Sequence, residues 1–183
     1  CFEKALTIKP DYVEVHYSLG VLFQELGKLE SMIEHLEYAV TIEPSLSEAH
    51  NMLGIAYKEL GQFDDSIESY LKALDINPNF SEAYNNLGNT YTEVGQLDDA
   101  VESYLKALEL NSDYPALHNN LGNAYKKLGQ HDNALKSYKN ALRYNPDNAD
   151  AHNYLGNVFN ELGELDEALK SYKRAIAINP DYA

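Results

Sequence analysis

The chain has 183 residues, with 29 Asp and Glu against 14 Lys and Arg, and a formal net charge of −15. That balance argues against nucleic acid as a direct partner, because phosphate binding needs concentrated Lys and Arg; it suits solubility and basic or polar partners. No apolar run approaches the roughly 20 residues of a membrane span, the opening Cys1-Phe2-Glu3-Lys4-Ala5 does not read as a secretory leader, and one cysteine supports neither a disulfide framework nor a metal site, which fits a reducing, cytoplasmic setting.

In chain order, residues 1–12 read as a partial unit, the tail of a second helix from Cys1 to Ile8. Five full units follow, at 13–46, 47–80, 81–114, 115–148 and 149–182. The period is 34 residues: Pro10, Pro44, Pro78, Pro146 and Pro180 keep it, with Ser112 and a displaced Pro115 at the missing position. Leu19-Gly20, Leu53-Gly54, Leu87-Gly88, Leu121-Gly122 and Leu155-Gly156 keep it too. A fixed period of this length predicts a stack of small units in which most recurring residues serve packing.

Each unit carries two helical patterns. In the third, spacing predicts helices over Ser81–Val94 and Leu97–Leu110, with the turn at Gly95-Gln96. Glycine inside a helix costs roughly 1 kcal/mol relative to alanine. Its recurrence at Gly54, Gly88, Gly122 and Gly156 predicts close approach of the second helix at Ser66, Ala100, Ala134 and Ala168. Ala39, Ala73, Ala107, Ala141 and Ala175 are expected where the next unit docks. Each closing proline is expected to stop a helix, and the Asp or Asn after it to start the next. The first full unit departs most, with Met32 and Leu36 in place of small residues and tyrosine, which predicts local repacking.

The pattern Leu-Gly-x-x-Tyr, then Ala-x-x-x-Tyr-x-x-Ala, then proline resembles the tetratricopeptide repeat (TPR) family over the whole chain. The resemblance implies an all-α, right-handed superhelical solenoid of antiparallel helix hairpins, with first helices lining a concave face. It implies a protein-interaction scaffold, with no catalysis and no cofactor. The run Tyr84-Asn85-Asn86-Leu87-Gly88-Asn89 also looks like the repeat arm of O-linked N-acetylglucosamine transferases. That alternative makes the chain a substrate-selecting segment.

By the same resemblance the concave rows are Tyr17, Asn51, Asn85, Asn119, Asn153 and Val21, Ile55, Asn89, Asn123, Asn157. Asparagine is a mediocre helix former, and its amide both donates and accepts. A ladder of amides could grip the backbone of an extended peptide, or could bond neighbouring helices and shape the array. Glu14, Glu48, Glu82 and Asp150 are explained by the helix dipole. Glu25, Glu59, Glu93 and Glu161 oppose it and suggest a basic or polar segment as ligand, with Lys58, Lys126 and Lys127 among them. Tyr17, Val21 and Ile55 form either an apolar pocket or a cover for a neighbouring unit.

His16, His50, His118 and His152 share one repeat position, which suggests packing rather than a metal site. The tyrosines, among them Tyr57, Tyr91 and Tyr125, are expected in the core. No phosphate loop, nucleophile elbow or metal-hydrolase motif is found. The last helix shows Leu165, Leu169, Tyr172 and Ile176 as if another unit followed, so the chain reads as part of a longer array, or as one that associates end to end.

Overall fold

A computed structural model describes residues 11–181. The expectations for Cys1–Ile8, Pro10, Tyr182 and Ala183 lie outside the described residues. Ten helices and no strands are present among those described. They are α1 (Val13–Glu25), α2 (Leu29–Ile42), α3 (Ser47–Glu59), α4 (Phe63–Ile76), α5 (Ser81–Val94), α6 (Leu97–Leu110), α7 (Pro115–Lys127), α8 (His131–Tyr144), α9 (Ala149–Glu161) and α10 (Leu165–Ile178). The bounds of α5 and α6 are those the apolar spacing predicts. The helices fall into two compact units, the first ending at Thr90 and the second beginning at Tyr91.

In the first unit, α1 packs on α2 and α3 on α4, and α2 packs on α3 between the hairpins. In the second, α7 packs on α8 and α9 on α10, with α6 against α7, α8 against α9, and α7 also touching α9. Each hairpin turns on a glycine in the left-handed region; Gly61 has φ of 74°. There Gly61 N–H donates to Lys58 O and Gln62 N–H to Tyr57 O, both at 2.9 Å. This closes the free carbonyls of α3 as a Schellman turn.

The helical glycines do a different job. A Cβ built on Gly122 would sit 2.5 Å from the Tyr138 ring, and one on Gly54 2.5 Å from the Tyr70 ring. The space above each of these glycines is thus filled by a tyrosine ring of the second helix, beside the small residue predicted there. Ser66 takes part through a polar contact: its hydroxyl donates to Gly54 O at 2.8 Å. In the first hairpin Leu36 fills the tyrosine's place against Gly20, the repacking that Met32 and Leu36 predict.

Two expectations change. The Asp or Asn after each proline does not cap the next helix. The N-cap residues are Tyr12, Leu46, Tyr114 and Asn148, and of these only Asn148 caps with its side chain, accepting from Ala151 N–H at 3.0 Å. First-helix tyrosines are only at the core's edge: Tyr57, Tyr91 and Tyr125 are half-buried, Tyr57 and Tyr125 packing against core clusters, whereas Tyr70, Tyr104 and Tyr138 are fully buried. A phenol at the hairpin edge keeps its hydroxyl near polar partners, as Tyr57 does by donating to Glu37 Oε1 at 2.6 Å.

The shared histidine position is a loop tie. His50, His118 and His152 place Nε2 3.1, 2.9 and 3.1 Å from the carbonyls of Pro44, Ser112 and Pro146. No group of three or more potential metal ligands occurs among the described residues. His16 instead meets His35, Nδ1 to Nδ1, at 3.0 Å. Burial lowers the pKa of His35 and of His50 below the ordinary 6.5, reinforced at His35 by His16. A lowered histidine pKa contributes stability that is fully present above 6.5 and is lost as pH falls through the lowered value. The first two hairpins are expected to melt at lower temperature at pH 5 than at pH 7, with His35→Phe reducing the difference, as calorimetry or amide exchange would read.

Candidate peptide-binding face

The predicted ladder divides by the partners that surround each amide. Asn51, on α3, is buried. Its Nδ2 donates to Glu82 Oε1 at 3.4 Å and its Oδ1 accepts from Asn86 Nδ2 at 3.2 Å. Both ends of this side chain join α3 to α5, so Asn51 is a structural tie. Asn85 and Asn89 are half-buried on α5 and already make polar interactions.

On α7 and α9 the amides retain capacity. Asn119 is 7% exposed, and its Oδ1 has no hydrogen-bond partner among the described residues. An unsatisfied buried acceptor costs about 1–3 kcal/mol. Asn123 Oδ1 accepts from the Tyr138 hydroxyl at 2.8 Å, and Asn157 Oδ1 from the Tyr172 hydroxyl at 2.9 Å. Burial, then the nearby Tyr154 and Glu161, push the Tyr138 phenol above its ordinary pKa. It therefore remains protonated and donates, so the Asn123 amide is held with Nδ2 as the outward donor. Asn153 is half-buried beside Asn157, one helical turn away. Asn123 and Asn157 thus hold equivalent places on α7 and α9, each one turn from a second amide.

The charged candidates also separate. Glu161 pairs with Lys126 at 3.0 Å. This corrects the reading of Glu161 as an acid unexplained by the fold: a cation from α7 offsets its unfavourable place at the end of α9. Lys127 reaches Thr92 O at 3.5 Å. Lys58 and Glu93 are also engaged, and Glu59 is exposed at the end of α3. Tyr17 and Val21 pack on the first unit's cluster of Met32, Leu36, Ala49, Met52, Leu53 and Ala56. Ala49, Met52, Leu53 and Ala56 belong to the next repeat, so Tyr17 and Val21 cover a neighbouring unit, the second of the two readings; Ile55 is half-buried. Sequence reasoning missed the role of Tyr138 and Tyr172. Their spacing of 15 residues from Asn123 and Asn157 was the available signal.

Family profiles described as tetratricopeptide repeat match residues 13–46 and 119–183, and a TPR repeat profile matches 56–95 and 88–129. The chain belongs to the tetratricopeptide repeat family. Among solved structures it is similar to MamA, at 26% identity with a TM-score of 0.85, covering 89% of this chain and 95% of that one. It is similar in fold to YrrB, described as a TPR protein with an unusual peptide-binding site, at 21% identity and TM-score 0.85, covering 100% and 94%. PilF of Pseudomonas aeruginosa shares the fold at 20% identity and TM-score 0.81, covering 98% and 82%. No curated protein matches the sequence. The all-α TPR solenoid expected from the repeat is thereby established. No helix among the described residues is long and apolar enough to cross a membrane.

Proposed function

We propose that this TPR chain is a protein-interaction scaffold that holds an extended peptide by its backbone, using Asn119, Asn123, Asn153 and Asn157 on α7 and α9. The observation that carries this is the fixed orientation of Asn123 and Asn157: tyrosine hydroxyls occupy Oδ1 and leave Nδ2 to donate. Nδ2 groups suit peptide carbonyls. YrrB, similar in fold, is described as having a peptide-binding site, which supports this class of ligand. Because backbone amides are common to all peptides, side-chain selectivity falls to residues flanking the four amides on α7 and α9.

The test is the double variant Asn123→Asp, Asn157→Asp. A carboxylate still accepts from tyrosine but has no N–H to offer. With a peptide selected from a random library against the wild-type chain, affinity should fall roughly thirtyfold, from two lost bonds at about 1 kcal/mol each. The melting midpoint should stay close to wild type. Equal peptide affinity in the double variant would overturn the proposal.

A further inference from the structure

A second surface lies on the other side of α9. A cleft of about 840 Å³ opens between α8 and α10, with Leu142, Leu155 and Phe159 as apolar lining. That volume lies within the roughly 300–1,000 Å³ of ligand pockets. On α9, Leu155 and Phe159 point about 150° away from Asn153 and Asn157, at 100° per residue. The cleft is therefore separate from the amide face.

Its chemistry is unusual for this chain. Lys139, Lys170, Lys173 and Arg174 surround it, against one acid, Glu167. The whole chain has only 14 Lys and Arg. The first unit has a cleft in the same repeat position, with the opposite character. There Glu37, Asp65 and Glu68 face one cation, Lys72, in about 360 Å³. Three repeats along the sequence, Glu37 becomes Lys139, Glu68 becomes Lys170, and Tyr57 becomes Phe159. The Tyr57 hydroxyl and Glu37 bond to one another across the first cleft. In the second, loss of the hydroxyl leaves an apolar floor, and Lys139 stands 5.9 Å from the Phe159 ring centroid. Arg174 is held in place by Asp147 at 2.8 Å.

We infer that the cleft between α8 and α10 is a second docking surface, for an acidic peptide segment carrying an apolar anchor side chain. The anchor would rest on Leu155 and Phe159, and the flanking carboxylates would meet Lys139 and Lys173. Charge complementarity selects this occupant: a basic rim on a chain of net charge −15 attracts an acidic segment and leaves the rest of the surface to repel it.

The experiment titrates an acetylated and amidated octapeptide, Glu-Glu-Asp-Phe-Leu-Asp-Glu-Glu, into the full chain by calorimetry. Saturable binding that weakens as salt rises is expected. Lys139→Glu with Lys173→Glu should reduce affinity at least roughly tenfold, with helicity unchanged. Replacing Phe and Leu of the peptide by Ala should do the same. Asn123→Asp with Asn157→Asp should leave this binding intact, which separates it from the amide face. Absence of saturable binding, equal affinity in the lysine variant, or equal affinity of the alanine peptide overturns the proposal. So does binding of dodecanoate but not peptide, or wild-type self-association that the lysine variant abolishes.

Discussion

Gly122→Ala should destabilise the chain even though alanine is the better helix former. Propensity alone favours the substitution by roughly 1 kcal/mol. The new Cβ, however, would lie 2.5 Å from Tyr138 Cε1 and 2.7 Å from its Cδ1. That ring cannot retreat cheaply. Tyr138 is fully buried, its hydroxyl is bound to Asn123, and its centroid is 5.4 Å from that of Tyr154. Overpacking costs about 1–3 kcal/mol, and Gly122→Val, with a larger and β-branched side chain, should reach the upper end. Chemical denaturation checks both. In a Tyr138→Ala background, Gly122→Ala should turn neutral or stabilising, a coupling readable as a double-mutant cycle. Stabilisation by Gly122→Ala in the wild-type chain would show that the helix pair has room, contrary to this geometry.

Tyr138→Ala is expected to be the most damaging single change in the second unit, at about 3–5 kcal/mol, the usual cost of deleting a large buried aromatic. Tyr138 belongs to the cluster with Ala134, Leu155, Val158, Phe159 and Ala168, so its loss removes contacts to α9 and α10 as well as α7. Tyr138→Phe keeps the ring and removes one hydrogen bond, which should cost about 1 kcal/mol. The two variants also separate packing from positioning. Tyr138→Phe frees the Asn123 amide to rotate, so peptide affinity should fall by a larger factor than stability alone explains. Equilibrium unfolding and peptide titration on the same samples give both readings. Unchanged peptide affinity in Tyr138→Phe would show that the hydroxyl serves the fold only.

The asparagines show where a sequence becomes ambiguous. Asn51, Asn119 and Asn153 occupy one repeat position and look equivalent in the sequence. Asn51 is consumed because Glu82 and Asn86 lie within reach on α5, whereas Asn119 keeps a buried acceptor without a partner among the described residues. The difference depends on which side chains arrive from another helix, and no local pattern encodes it. Glu161 makes the same point: it opposes the dipole of its own helix, and Lys126 on α7 offsets it. The histidines were legible as packing residues from their shared position, but their carbonyl partners six residues upstream were not.

The 34-residue period by itself determined the helical hairpins, their turns at positive-φ glycines and the family, because each is set by local geometry and by packing that recurs in every unit. Tertiary structure decided which glycine faces which ring, which amides remain available on α7 and α9, and which repeat of one cleft is basic and apolar rather than acidic. Those outcomes arise where side chains distant in sequence share a few ångströms, and there burial and the identity of the neighbour outweigh propensity.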